Sequence, residues 1–258
     1  MALGSRVSTI WYVDTDDPLS VLREYPQPDI EAAEALAGTL HPDLEVSLTG
    51  RSTLSSAAAV TDGETVFIGA YPGLTVVCSA DLAVPRPSTL PERWIQARTC
   101  ARTYYVASRP DIEWGAFSMW ENGTLTRSFS ATPVHIHEDV GLPLVWEKPF
   151  WAGDFPLQHP PGLLPDPQSL PFDPGMFAEG ANLEWLGFRY SDTTADTAVD
   201  IGVLSLHRFA IHPPGEGPVE EAVEAATEPA ETESVPTVPP APPSPPRKLG
   251  RLRRYFGF

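Results

Sequence analysis

The sequence predicts an α+β fold over residues 1–213, mainly antiparallel sheet with a few helices. Three observations carry this. Asn122-Gly123 lies between two apolar-aromatic runs, and both residues tolerate the positive φ of a type I′ turn, so a hairpin is expected over residues 113–131. Tyr71-Pro72-Gly73 joins two short β-branched runs, residues 65–70 and 74–78, as a tight turn would. Long helical spacing is confined to a few stretches, chiefly residues 28–40 and 177–186.

Taken in order, Val7–Val13 is β-branched and aromatic and reads as a first strand. It runs into Asp14-Thr15-Asp16-Asp17-Pro18. Two carboxylates at the end of a strand can share a hard cation, but no downstream lysine or second acidic pair completes a phosphatase pattern. Asp16 or Asp17 as the cap of a helix begun at Pro18 is the favoured reading. In residues 28–40, Ile30, Ala33, Leu36, Ala37 and Leu40 share one face, with Glu31 and Glu34 near the N-terminus where the helix dipole favours them. His41-Pro42 ends that helix. Residues 44–48 alternate like a strand, residues 91–99 suggest a short helix, and residues 102–107 another strand. Asp173 is placed to cap the helix over 177–186, and residues 203–211 form a last strand before Pro213-Pro214. No internal repeat is present.

The formal charge of −17 argues against nucleic-acid binding by the folded part, since phosphate contacts need clustered Lys and Arg. The charge is uneven. Residues 1–214 hold 27 acids and 12 bases, residues 215–246 seven acids and no base, and residues 247–258 five bases and no acid. Cys78 and Cys100 are too few and too far apart for a zinc site or a disulfide framework and read as two buried thiols. No stretch has the length to span a bilayer and no cleavage pattern opens the chain, so a cytoplasmic location is expected, with membrane association through the C-terminal end.

The densest group of ionisable and aromatic side chains follows the hairpin. His135, His137, Glu138 and Asp139 are succeeded by Trp146, Phe150, Trp151 and Phe155. Trp120, Arg127, Glu138, Asp139, Trp151 and Asp154 make up a candidate pocket. His135 and His137, two apart, would share a side of a strand, yet His-x-His-Glu-Asp is as naturally a solvated segment. No metal and no cofactor is therefore expected, with Asp14, Asp16, His135 and His137 as the lesser metal candidates. Trp146, Trp151 and Phe155 read as the edge of a core before they read as a stacking platform. No nucleophile elbow, phosphate loop or His-Glu-x-x-His helix is present, and no catalytic residue is assigned.

An ordered run of landmarks resembles a family of uncharacterised actinobacterial proteins, a domain of unknown function. The run comprises Asp14-x-Asp16, Tyr71-Pro72-Gly73 leading into Val76-Val77-Cys78, Arg86-Pro87-Ser88, and Trp120-Glu121-x-Gly123-x-Leu125-x-Arg127-Ser128. It continues with Glu138-Asp139-x-Gly141, Trp151-Ala152-Gly153-Asp154, Leu170-Pro171-Phe172 and Leu186-Gly187-Phe188, and covers roughly residues 5–212. The resemblance implies no activity, cofactor or catalytic residue. The chain departs from the family pattern at Pro133-Val134-His135-Ile136-His137, where a small polar stretch is usual.

Residues 214–246, rich in Pro and Glu, lack core-forming side chains and are expected to be a disordered linker. Such a linker would reach roughly 30 Å as a coil and about 100 Å as polyproline. Residues 247–258 form a basic amphipathic peptide. In a helix Leu249, Leu252 and Phe256 share a face, with Arg247, Arg251 and Arg254 opposite, Lys248 and Arg253 flanking, and Tyr255 near the stripe. The partners expected for it are an anionic membrane surface or an acidic protein. Two function classes stay open: a non-enzymatic binding or adaptor module, and a metal-assisted hydrolase using Asp14, Asp16, Glu138 and Asp139. The sequence does not set the oligomeric state.

Overall fold

The computed structural model describes residues 6–157, 166–192 and 199–216. The chain divides into two units, Met1–Val219 and Glu220–Phe258. The expectations for the linker and the basic peptide lie outside the described residues.

The first unit is built on one nine-stranded antiparallel sheet. Its strands in chain order are β1 (Val7–Val13), β2 (Glu45–Thr53), β3 (Thr65–Tyr71), β4 (Leu74–Ser79), β5 (Arg102–Arg109), β6 (Trp114–Glu121), β7 (Thr124–Thr132), β8 (His135–Val140) and β9 (Ser205–His212). Across the sheet they lie in the order β2-β9-β3-β4-β1-β5-β6-β7-β8. The α+β, mainly antiparallel architecture expected from the turn signals is the one the chain adopts.

Both faces are covered, which is why β1, β3 and β4 are buried along their whole length and mostly apolar rather than alternating. A register row on one face runs Cys78, Thr9, Val106, Phe117, Phe129, Asp139. Over this face lies helix α6 (Pro174–Leu186), capped by Asp173 Oδ1 on the Met176 N–H at 2.8 Å, with Pro174 in its first turn. The helix closes on the sheet at Gly115, where a Cβ would stand 2.0 Å from the Pro174 carbonyl oxygen, so only glycine fits. Phe177, Ala178, Ala181 and Leu186 of α6 are buried there, and Trp185 stacks on Tyr104 at 4.6 Å. The opposite face packs Ile10, Tyr12, Val77, Tyr105 and Trp120 under α2 (Ile30–Leu40) and Trp94.

The cap expected before Pro18 is realised, while some boundaries elsewhere differ from expectation. Asp17 is the cap of α1 (Pro18–Arg23): its carboxylate accepts the Ser20 N–H at 3.0 Å and the Ser20 hydroxyl at 2.6 Å. A single turn, α3 (Leu54–Ala57), follows β2 directly, and residues 91–99 yield only one helical turn, α4 (Glu92–Ile95). Pro91 can start that turn, but the apolar side chains beyond Ile95 are too few to bury a second one. Cys78 is fully buried, whereas Cys100 is half-buried, its Sγ 3.2 Å from the Arg102 carbonyl oxygen.

Candidate functional site

The β6–β7 hairpin positions the candidate residues. Its turn is Asn122-Gly123, with φ of 47° and 78°, and Glu121 pairs with Thr124, as a two-residue type I′ loop requires. Side chains then alternate across β7. Arg127 and Phe129 point to the α6 face, Ser128 and Ser130 to the α2 face.

On the α6 face Arg127 is 0% exposed. Its Nε and Nη2 donate to the two oxygens of Glu147, each at 2.8 Å, in a fork that matches the carboxylate plane. Nη1 donates to Asp139 Oδ1 at 2.5 Å and to the carbonyls of Val140 and Ser128 at 3.0 and 3.2 Å. The guanidinium also lies 5.8 Å from the ring centroids of Phe117 and Phe129. Burial alone would lower its pKa, but the bonds and charges of Glu147 and Asp139 outweigh burial and raise it. Glu147, also 0% exposed, accepts the Leu144 N–H at 3.0 Å and the Trp151 indole N–H at 3.3 Å. Trp146, Phe150, Trp151, Phe172 and Phe177 surround this ion pair as a continuous aromatic cluster.

On the α2 face Glu138 is held by serines. Its Oε1 accepts the Ser88 N–H at 3.0 Å and the Ser128 hydroxyl, and its Oε2 accepts the Ser88 hydroxyl at 2.5 Å. Ser128 in turn bonds Ser118 at 2.6 Å. Adjacent residues of β8 thus serve opposite faces, Asp139 with Arg127 and Glu138 with Ser88 and Ser128.

The expected pocket of six does not converge. Trp120 and Glu138 are on the α2 face; Arg127, Asp139 and Trp151 are on the α6 face; Asp154 is exposed beyond the helical turn α5 (Lys148–Trp151). The physical reason is the two-residue period of β7 and β8, which splits neighbours in sequence between the two sides. Asp14 and Asp16 are exposed at the end of β1, where Arg102 bonds Asp16 at 3.4 Å. β1 is four strands from β8, roughly 19 Å at the usual spacing. His135 and His137 do share a side of β8, with ring centroids 4.7 Å apart. Burial lowers the pKa of His137, helped by the charges of His135 and Arg86. The basic-peptide residues lie outside the described residues.

With this geometry in hand, the comparison with family models is specific: residues 7–209 match the family of unknown function DUF6928. The chain belongs to the DUF6928 family. No curated protein and no solved structure matches it. In this DUF6928 domain, landmarks remote in sequence meet in pairs, Ser88 on Glu138 and Arg127 on Asp139.

Sequence reasoning missed Glu147, which completes the Arg127 site, and Glu179 of α6. Glu147 had one available signal, an acid set inside an aromatic run, which in a core strand or turn demands a cationic partner. Glu179 is buried, accepts the Tyr190 N–H at 2.7 Å on Oε2, and leaves Oε1 without a partner among the described residues. Among the same residues, no three His, Cys, Asp or Glu side chains stand together as a metal set. No helix there is long and apolar enough to cross a membrane.

Proposed function

We propose that this protein is a non-enzymatic binding or adaptor module whose basic C-terminal peptide, residues 247–258, docks on an anionic membrane surface. One observation carries the reading: five cations and no acid fall within twelve residues that also hold Leu249, Leu252, Tyr255 and Phe256, in a chain whose remaining residues are strongly acidic. Near an anionic leaflet each cation contributes on the order of 1 kcal/mol at low salt, and the aromatic side chains add apolar insertion. That sum suits reversible anchoring. Arg127, Glu138 and Glu147 are engaged by partners within the fold. The hydrolase alternative needs Asp14, Asp16, Glu138 and Asp139 in one cleft, and no observation favours that.

The test is liposome sedimentation of the full chain and of a chain ending at Pro246, with neutral and anionic vesicles. Salt-sensitive binding to anionic vesicles only, lost on truncation, is the expected result. Equal behaviour of the two chains would refute the membrane docking, and salt-sensitive capture by a polyacidic protein without vesicle binding would reassign the peptide to an acidic partner.

A further inference from the structure

β8 is the outer strand of the sheet, and among the described residues no strand pairs with its other side. It slips one residue against β7, since Ala131 pairs with Ile136 and Ser130 with Glu138, which leaves His137 as the bulged residue. His135 is exposed and His137 half-buried, and their rings meet edge to face at 4.7 Å. Sequence alone does not separate a ligand pair from a solvated segment. In the fold the two rings meet on one side of β8, so both imidazoles stand within reach of one ion.

The pair is incomplete by itself. A zinc-type ion takes four ligands in a tetrahedron, and no third His, Cys, Asp or Glu among the described residues joins these two. Glu138 is turned inward to Ser88 and Ser128, and Asp139 is taken by Arg127. Completion must come from outside, and the open edge determines what can arrive. An antiparallel pairing of β8 with a second copy about a two-fold axis at Ile136 sets each His135 opposite the other copy's His137. Directly opposed residues in such a pair have Cβ atoms about 4.5–5.5 Å apart. Four imidazoles then face one point. The same contact would cover the apolar side chains beside the strand, Val134, Ile136 and Val140, with Leu142 at 85% and Val145 at 78% exposure just beyond it.

We propose that β8 is a metal-completed self-association edge: His135 and His137 from two copies together hold one divalent transition-metal ion, and the two β8 strands pair antiparallel around it. It is independent of the membrane reading and concerns a different part of the chain.

The test is sedimentation velocity of the full chain during titration with zinc chloride, with bound zinc measured after dialysis. The expected result is a two-fold rise in mass at one zinc per two chains, reversed by a chelator. His135→Ala and His137→Ala should each remain monomeric at every zinc level, while His212→Ala, on β9, should dimerise like the parent. Circular dichroism of each variant confirms that it is folded. One zinc per chain without a change in mass, a dimer indifferent to zinc and to both β8 variants, or a monomer that retains no zinc would each overturn the proposal.

Discussion

At the scale of single residues, two buried acids behave in opposite ways. Glu147 is fully paired. Glu147→Gln keeps the shape but leaves Arg127 with one carboxylate in place of two, inside an aromatic shell. Breaking one half of a buried pair typically costs about 3–5 kcal/mol, so denaturant melts should show a loss near 3 kcal/mol. Replacing both partners, as in Arg127→Met with Glu147→Leu, should cost less than the single change, because no charge is stranded. Glu179 is poorly paired. Burial pushes its carboxyl up to about 7, against the pull of the Tyr190 and Ser191 amides and of Arg189. The folded chain therefore keeps this proton where the unfolded chain has released it, above the ordinary value of about 4.3. The contribution is complete below that value and is lost as pH rises through about 7, amounting to roughly 3–4 kcal/mol at most. Glu179→Gln should flatten the fall in melting temperature between pH 5 and 8 and be the more stable form at pH 8. A melting temperature that tracks the parent at every pH would show that the carboxyl does not titrate in this window.

At the scale of elements, the hairpin was legible because its signal is local. Asn-Gly with aromatic flanks determines the turn and the pairs next to it, up to the bulge between Trp120 and Met119, and Gly123 takes the positive φ that a β-branched residue resists. Gly123→Val should destabilise the domain by roughly 1 kcal/mol or more, from backbone strain and from a Cβ placed 3.2 Å from Gln96 Nε2. An unchanged denaturation midpoint would count against that strain. β8 was not legible as a strand. Its apolar residues, Ile136 and Val140, point outward, its bulge breaks alternation, and its acids are satisfied by partners as distant as Ser88. The α6 cap at Asp173 could be read, but not Glu179, because a helical acid normally signals a solvated face. The pairing of Arg127 with Glu147 was hidden for a related reason: a buried ion pair twenty residues apart leaves no periodic trace.

At the scale of the molecule, the fold class followed from turn signals and short apolar runs, whereas strand order did not. β2 reads as a strand of mostly polar residues, and nothing in it names a partner more than 150 positions away. That partner is β9, which lies between β2 and β3, and β2 has no other neighbour in the sheet. The insertion has a consequence for how the protein is made. Synthesis delivers β2 complete at Thr53 and β9 only from Ser205, a gap of 152 residues (205 − 53). At ordinary elongation rates of 5–20 residues per second, β2 waits roughly 8–30 s as an unpaired edge outside the ribosome. A sticky strand would recruit neighbouring nascent chains during that interval. Glu45, Ser47, Thr49, Arg51 and Ser52 make β2 a poor template for that, so its polarity protects the nascent chain until the last strand arrives.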